Sequence, residues 1–575
     1  MQMRATVSGS DQRPVDHWNA VFRRLITPVL GLLLAAFVLA PLNENVREMF
    51  AAAKQADFHG SFPGNVVAAW DMKPIANRTI YYGLYHAATL VVPFTDKVLF
   101  EPVTKIVCIA IALAILAIMQ RFVWPGSKSG SAPGFNALLL GGISILSASY
   151  YVILESEWLA SLSLLLAIGL SVSESRGAAV AAGLVAAVLF PLKGVTVLLV
   201  PIVPAAWVLM GLDWRRRSAP FLGGLALGIG LTVVFYLVYS QSWQDLVDSS
   251  TFQNSFGDFY PVRRLLRSIG MGFGGAMKQA PMLYVGLACT MLVARVGIAR
   301  RSSTDTLILL AAWGCAVAMV VIQGKWFMYH YGAAIVPALL SIGVWCSGRY
   351  AAWRESLTNA VRWQFIAQAS LVNLVLAAIT WRYAPECREA MPSVLVVSTI
   401  LTIALVHGDR VLWCRRSMPA TAAVLSLFVW AIYAAPWTAL ARSAAAAGVE
   451  QSEAFTELDR QFHLTGEPSL LYLECAVASY YLGTKSALPW FYPNPIQRVH
   501  SNSSLATQDV HVRAVREAMS YKGRFVVLDS TWMRYEDRHV PALNEKLESE
   551  YECVWESEIL HDNGEKNRYR LLKRR

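Results

Sequence analysis

The chain has 575 residues, of which 55% are hydrophobic and 15% are charged, and its formal net charge is +11. A soluble globular chain carries about 25% charged and about 45–50% apolar residues, so this composition excludes an ordinary soluble protein. The positive charges lie in short stretches between apolar runs, which is typical of membrane topology and not of a nucleic-acid-binding surface. The sequence therefore predicts an integral membrane protein, with the lipid bilayer as a partner and no nucleic-acid partner.

The chain begins with polar and mixed residues at 1–24, and no small-residue cleavage site follows the next apolar run. We therefore expect a cytoplasmic N-terminal segment and a first span that is retained as an anchor. A membrane-crossing helix needs roughly 20 apolar residues, and thirteen segments are predicted to cross. They lie at 25–42, 102–120, 136–154, 157–172, 177–191, 194–211, 220–240, 281–298, 306–322, 333–347, 363–380, 392–408 and 418–440.

The loops between these spans alternate in charge, and every second loop is basic. If residues 1–24 are cytoplasmic, all the basic loops fall on the cytoplasmic side, as the positive-inside rule requires. An odd number of spans then places the tail outside. The pattern predicts a mainly α, polytopic membrane domain at 25–442, followed by an extracytoplasmic domain at 443–575.

The first predicted outer loop, residues 43–101, collects several carboxylates. Charged groups at the membrane boundary are functional candidates, because burying them is costly. A carboxylate in such low-dielectric surroundings can serve as a general base, since its pKa rises toward the working range. Asp57 is the preferred base, because His59 and a Pro-Gly turn follow it; Asp71 is second, and Glu44 stays open. The alternative is that these acids only solvate the loop and cap its short helices.

Two short outer turns add further charges, with Glu155 and Glu157 in the first and Lys193 in the second. One of the three is a candidate metal ligand or phosphate contact, and the sequence does not rank them. The chain contains no HExxH, Walker A or GxGxxG motif in a credible context, which disfavours ATP-driven transport and hydrolase chemistry.

The outer segment at 242–280 contains Arg263 and Arg267, which are four residues apart. On a helix they share one face, as expected for an amphipathic helix that lies at the membrane interface. Two interpretations stay open, a contact with a substrate phosphate and a headgroup-binding surface without catalysis.

The outer segment at 323–332 contains Lys325, Tyr329 and His330 just outside apolar helices. Such a set can hold a lipid phosphate while its aromatic rings flank a prenyl chain or a sugar. The alternative is an ordinary aromatic belt with a lysine whose head group reaches the interface.

The tail at 443–575 alternates helix and strand patterns. Predicted helices lie at 450–462, 510–520 and 541–547, and predicted strands lie at 470–473, 525–529, 551–559 and 568–572. This alternation predicts a small α/β domain. No Gly-rich phosphate loop follows its strands, so we interpret it as a lid or recognition module.

Taken together, these features resemble the GT-C superfold of integral membrane glycosyltransferases. The resemblance covers nearly the whole chain as architecture. It is carried by Asp57 in the first outer loop, by the stretch Trp70-Asp71-Met72-Lys73-Pro74 with Arg78, and by Lys325 with Tyr329 and His330. One departure is that the mannosyl and aminoarabinosyl branches carry Asp-Glu directly after the first span, whereas this chain reads Asn43-Glu44-Asn45.

The resemblance implies a fold with 11 to 13 spans and often an outer C-terminal domain. It implies an inverting transfer of a sugar from a polyprenyl-phosphate donor to a glycan, lipid or protein acceptor, in the inner membrane of a bacterium. Asp57 or Asp71 would be the base. The predicted substrate-binding residues are His59, Lys73, Arg78, Arg263, Arg267, Lys325, Tyr329 and His330. No cofactor is demanded, and a divalent metal, Mg²⁺ or Mn²⁺, is left open.

Two rival functions share many of these features. A flippase or transporter of lipid-linked saccharides would place ionisable groups near the bilayer midplane and often shows two similar halves. Here the predicted spans are nearly free of charge and the polar residues crowd one face, which favours transfer chemistry. A polysaccharide polymerase or ligase would build its site in a large middle loop, whereas the largest outer region here is the tail.

Overall fold

The computed structural model describes a large part of the chain. The described residues are 38, 42, 44–58, 75–108, 110, 154–171, 175–239, 261–276, 281–300, 303–323, 328–346, 350, 357–411, 445–474, 477–488, 509–530, 540–562 and 564–575.

The described residues that precede the tail form helices joined by short turns and bends, and none of them lies in a strand. In chain order its helices are α1 Glu44–Phe58, α2 Ile75–Thr89, α3 at 97–108, α4 Ser156–Ser171, α5 Arg176–Ala187, α6 Leu189–Leu192, α7 Ile202–Leu209, α8 Trp214–Tyr239, α9 Pro261–Met271, α10 Pro281–Arg300, α11 Thr304–Gln323, α12 Ile335–Cys346, α13 Asn359–Tyr383 and α14 Met391–Val411. Four short segments of other helix types lie between them, the 3₁₀ helices Gly194–Leu199, Met328–Ala334 and Pro385–Ala390 and the π helix Gly272–Ala276.

Within the described residues, three helices are long and apolar enough to cross a membrane, at Trp214–Val234, Thr304–Ile322 and Asn359–Tyr383. Shorter apolar helices lie at Ser156–Ser171, Arg176–Leu192, Gly194–Leu209, Leu283–Ile298, His330–Trp345 and Met391–Ile403. The predicted spans at 25–42, 102–120, 136–154 and 418–440 lie wholly or largely outside the described residues. The mainly α architecture is confirmed, and the count of thirteen spans stays a prediction.

Close packing of α5 against α8 depends on glycine. A Cβ added at Gly224 would lie 2.1 Å from the carbonyl oxygen of Val180, and one added at Gly183 would lie 2.1 Å from that of Phe221. The two backbones therefore touch at these positions. Small residues at helix contacts are typical of packing between membrane helices, where van der Waals contact replaces the hydrophobic effect as the driving force.

The tail contains a four-stranded mixed sheet. Its helices are α15 at 445–462, α16 Val477–Leu482, α17 Asp509–Ser520 and α18 Pro541–Glu550, and its strands are β1 Leu471–Leu473, β2 Phe525–Asp529, β3 Tyr551–Leu560 and β4 Lys566–Arg574. The strand order is β1-β2-β4-β3, with β1 and β2 parallel and the other two pairings antiparallel. We call the described residues from 445 to 575 the terminal domain.

Apolar side chains of the sheet fill two cores, one on each face. Val526 and Leu528 pack with Leu543 of α18, whereas Phe525 and Val527 pack with Leu458 of α15. A strand that is covered on both faces reads as a nearly continuous apolar run, which explains the four apolar residues at 525–528 in β2. The predicted α/β tail is confirmed as a secondary-structure pattern, and its placement outside the membrane stays a prediction.

Candidate active site

A buried carboxylate joins three separate segments at helix ends that are predicted to face outside. Glu157 lies in the first turn of α4, Lys193 lies between α6 and the following 3₁₀ helix, and His330 lies in the 3₁₀ helix before α12. Lys193 Nζ donates to Glu157 Oε1 at 2.6 Å, and Ser156 Oγ donates to Glu157 Oε2 at 2.8 Å. His330 Nε2 lies 3.4 Å from Lys193 Nζ and 3.7 Å from Glu157 Oε1. We call Glu157, Lys193 and His330 the lysine cluster.

Burial differs among the members of the lysine cluster. The side chains of Glu157 and His330 are fully buried, whereas that of Lys193 is 24% exposed. A buried carboxylate is stable only when it is paired and hydrogen-bonded. The lysine therefore pairs with Glu157, and about a quarter of its side chain remains exposed.

Local backbone structure explains how Lys193 reaches the carboxylate. The helical path ends at Lys193, whose φ of −167° and ψ of 124° are extended. Thr196 N donates back to the Lys193 carbonyl at 2.7 Å, which starts the 3₁₀ helix directly after it. Glu157 stands in the first turn of α4, where the partial positive charge of the helix end favours a carboxylate. The two side chains are thus presented by the ends of neighbouring helices.

The first outer loop also contacts this region. Tyr81 of α2 is buried, and its hydroxyl donates to the carbonyl of Leu154, which precedes α4. Leu154 has a φ of 66°, a left-handed conformation that is uncommon for a residue other than glycine. The turn before Glu157 is therefore tied to α2, the helix that carries Arg78.

The 3₁₀ helix that carries His330 is attached to two other elements. Ser161 Oγ of α4 donates to the carbonyl of Gly332 at 2.7 Å. Tyr331 donates from its hydroxyl to the carbonyl of Ser268 in α9 at 2.6 Å. Arg267, next to Ser268, is exposed. The 3₁₀ helix Met328–Ala334, which carries His330 of the lysine cluster, is therefore bonded to both α4 and α9.

Among the predicted site residues, the structure describes the side chains of His330 and Arg267. His330 joins the lysine cluster, and Arg267 lies on α9, where a helix was predicted. Asp57, Arg78, Arg263 and Tyr329 lie on helical backbone, but their side chains are outside the described part. His59, Asp71, Lys73 and Lys325 lie outside the described residues. The predicted roles of all these residues stay predictions.

The side chain of Glu44, the third candidate base, is bonded to two residues of the terminal domain. His561 Nδ1 lies 2.9 Å from Glu44 Oε1, and the Asp562 backbone N–H donates to the same oxygen at 3.1 Å. Burial by itself would raise the pKa of Glu44, but the hydrogen bond and charge of His561 offset this and leave the pKa lowered. A carboxylate with a lowered pKa is a weaker base, so Glu44 is poorly suited to accept a proton.

Sequence reasoning named all three members of the lysine cluster but did not connect them. Lys193 and His330 are 137 positions apart in the chain. The available signal was that each stands at the start or end of an apolar helix on the side predicted to face outside. Among the described residues, no group of three or more His, Cys, Asp or Glu side chains is arranged to hold a metal ion.

Comparison with known proteins identifies the fold. No protein-family model matches the chain, and no curated protein sequence matches it. Two solved structures of ArnT from Cupriavidus metallidurans do match. The apo structure superposes with a TM-score of 0.53 at 12% identity and covers 97% of this chain and 98% of that chain. The chain shares the fold of ArnT.

The second ArnT structure holds undecaprenyl phosphate and matches with the same TM-score and identity, over 96% of this chain and 98% of that one. Because both matches run over nearly the full length, the shared fold includes the helical part and the terminal domain together. The fold expected from the sequence resemblance is confirmed, whereas the number of spans and the outer position of the tail stay predictions.

Proposed function

We propose that this protein is an inverting glycosyltransferase that moves a sugar from a polyprenyl-phosphate donor to a glycan, lipid or protein acceptor. The observation that carries the proposal is the lysine cluster, in which a lysine with a partly exposed side chain pairs with a fully buried carboxylate. Support comes from the fold, which is shared with an ArnT structure that holds undecaprenyl phosphate. We further propose that the protein lies in the inner membrane of a bacterium and acts at its outer face.

The proposed reaction is a single displacement. The carboxylate of Asp57, or of Asp71, accepts the proton of the acceptor hydroxyl as its oxygen bonds to the anomeric carbon. The bond between that carbon and the phosphate oxygen breaks on the opposite side, so the configuration inverts. The leaving polyprenyl phosphate keeps the bonding electron pair, and it needs no general acid because it is a good leaving group.

Lys193 has the geometry to assist this step. The departing phosphate gains negative charge in the transition state, and a prearranged cation stabilises that charge more than it stabilises the bound donor. Lys193 Nζ donates a 2.6 Å hydrogen bond to Glu157, and Nε2 of buried His330 lies 3.4 Å from the same nitrogen. We propose that Lys193 contacts the phosphate together with Lys73, Arg78 and Lys325. Arg263 and Arg267 on α9, with His59 and Tyr329, are proposed to line the donor site.

The test measures sugar transfer by the purified protein in lipid nanodiscs. Donors are radiolabelled undecaprenyl-phosphate sugars, offered with a panel of glycan, lipid and peptide acceptors. We expect transfer by the wild type and its loss in either Asp57→Asn or Asp71→Asn, because only one of these carboxylates serves as base. Lys566→Ala, which removes an exposed lysine of the terminal domain, is the matched control.

Other outcomes would point elsewhere. Translocation of the donor across the bilayer by the wild type, with no transfer to any acceptor, would contradict the proposal and favour a flippase. Equal transfer in the wild type and both aspartate variants would show that the base lies elsewhere. Chelation before the assay, followed by Mg²⁺ or Mn²⁺ addition, would show whether a divalent metal is required.

A further inference from the structure

The terminal domain contacts helix α1 at the beginning of that helix. Besides the pair between Glu44 and His561, the Glu44 backbone N–H donates to Asp562 Oδ2 at 3.1 Å. His561 is 4% exposed, and its other ring nitrogen, Nε2, lies 2.9 Å from the hydroxyl of buried Tyr569. With both ring nitrogens protonated, the imidazolium donates to Glu44 and to Tyr569 at the same time. A neutral imidazole that keeps the Nδ1 proton also satisfies both contacts, with Nε2 accepting from Tyr569, and the charge of Glu44 is what favours the imidazolium.

A second contact lies one turn further along α1. Arg47 is 2% exposed, and its Nε donates to Glu101 Oε1 of α3 at 2.9 Å. Its Nη1 donates to Gln451 Oε1 of α15 at 3.2 Å and lies 3.5 Å from Asp562 Oδ1. The Arg47 guanidinium thus joins α1 to α3 and, in the terminal domain, to α15 and to the residue pair that follows β3.

A third contact lies near the end of α1. Gln55 is 1% exposed, and its amide donates to the carbonyl of Thr484 at 2.8 Å. The Ser486 backbone N–H donates to Gln55 Oε1 at 2.7 Å. Asp57, the preferred base, stands two positions after Gln55 on the same helix. The terminal domain therefore fixes the helix on both sides of Arg47 and close to Asp57.

We propose that Glu44 is a positioning residue, whose pair with His561 docks the terminal domain on α1 and so sets where α1 presents the catalytic carboxylate. The proposal rests on the proposed function, because positioning has meaning only if α1 carries the base. The proposal also gives a role to Glu44 in the stretch Asn43-Glu44-Asn45, where the mannosyl and aminoarabinosyl branches carry Asp-Glu. In this chain Glu44 serves docking instead of proton transfer.

The pair gives the docking a dependence on pH. Burial alone would lower the pKa of His561, but the hydrogen bond and charge of Glu44 offset this and raise it. The pKa of Glu44 is lowered, as described above. Other charged or titratable groups face the pair from the surrounding elements. They are Arg47 of α1, Asp529 of β2, Asp562 after β3 and Tyr569 of β4.

The directions of the two pKa shifts define the pH window. The contribution of Glu44 is present above its unfolded pKa of about 4.3 and is lost as pH falls through its lowered folded pKa. The contribution of His561 is full below its unfolded pKa of about 6.5 and is lost as pH rises through its raised folded pKa. Docking is therefore strongest at mildly acidic pH and weakens toward alkaline pH.

The test follows hydrogen exchange of the α1 amides in the full chain in nanodiscs, expressed as protection factors so that the intrinsic effect of pH is removed. Wild type, Glu44→Gln and His561→Gln are compared at about pH 6 and about pH 8.5, on either side of the imidazole titration. Glu556→Gln is the matched control, because Glu556 pairs with Arg570 on the exposed part of the β3-β4 hairpin. Protection of β2 reports whether the terminal domain is folded in each variant.

We expect wild-type α1 protection to fall by about tenfold between the two pH values, and Glu556→Gln to behave in the same way. Both Glu44→Gln and His561→Gln should show low, pH-independent α1 protection while β2 stays protected. In the transfer assay, Glu44→Gln should lower kcat with little change in donor KM, and Glu44→Asp should restore part of the rate.

Two results would overturn the inference. One is α1 protection that is equal in the wild type and Glu44→Gln at both pH values. The other is loss of all transfer in Glu44→Gln with α1 protection intact, which would make Glu44 the base itself. If no variant and no wild type transfers sugar but the exchange pattern holds, the proposed function fails and the docking role of Glu44 is supported.

Discussion

The lysine cluster and the docking contact on α1, formed by Glu44, Arg47, Glu101, His561 and Asp562, both place a glutamate beside a histidine, yet they differ in how the charges are balanced. In the lysine cluster, two basic groups face one carboxylate, and Lys193 remains 24% exposed. In the docking contact, Arg47 and His561 face the three carboxylates of Glu44, Glu101 and Asp562; both cations are buried, and the most exposed side chain is that of Glu44, at 29%. The partly exposed side chain therefore belongs to a cation in the lysine cluster and to a carboxylate in the docking contact. The difference teaches that the charge of the exposed partner, and not the presence of an ion pair, separates a candidate anion site from a contact between domains.

Replacing Arg47 with alanine should break the docking contact most strongly. The change leaves the buried carboxylate of Glu101 without its ion-pair partner and removes the link to Gln451. Loss of one partner of a buried pair costs about 3–5 kcal/mol, so we expect the terminal domain to undock. Limited proteolysis of the intact protein measures this as faster cleavage between the two parts. Unchanged proteolysis would show that Arg47 does not hold the domains together.

Replacing Lys193 with alanine should break the lysine cluster while the docking contact stays intact. Removal of one group that stabilises developing negative charge costs about 10²–10³-fold in kcat, and we expect a loss of that order in the transfer assay. Lys193→Arg keeps the charge and should retain more activity. The α1 protection factors serve as the control and should match the wild type. Full activity of Lys193→Ala would remove this lysine from the proposed donor site.

Replacing Gly224 with valine should shift α5, and with it the chain that runs through α6 to Lys193, without changing any charged group. A Cβ at this position meets the backbone of Val180, so α5 and α8 must separate. Overpacking of this kind costs about 1–3 kcal/mol, which a thermal-unfolding assay in detergent can measure. Gly223→Val is the matched control, because a Cβ at Gly223 meets nothing within 4 Å. Equal melting temperatures for the two variants would contradict the close helix contact.

Replacing Arg570 with alanine should have the smallest effect. Arg570 Nε lies 2.6 Å from Glu556 Oε2, but the side chains are 31% and 41% exposed. Exposed ion pairs contribute about 0–1 kcal/mol, so we expect thermal stability, α1 protection and transfer to change little. A large loss of stability in Arg570→Ala would contradict the expectation that exposed ion pairs stabilise this protein less than buried ones.

Secondary structure in the tail follows closely from local sequence. The strand predicted at 525–529 is Phe525–Asp529, and the helix predicted at 541–547 extends to Glu550. These segments combine strong apolar patterns with clear ends. The helix Val477–Leu482 was not predicted, because it has only six residues, and four of them (Val, Ser and two Tyr) have modest helix propensity. Its first turn is supported by the buried carboxylate of Glu474, which accepts from the backbone N–H groups of Ala478 and Ser479.

The sequence by itself determined the class of protein, the positions of the well-described helices and strands, and the segments that collect charged residues. These properties depend on composition and on periodic patterns within short windows, where the physical preference of each residue acts locally. Tertiary structure alone decided that Glu157 meets Lys193 and His330, and that Glu44 meets His561. Such pairings join residues far apart in the chain, and only the packing of helices and strands brings their charges within a few ångströms of each other.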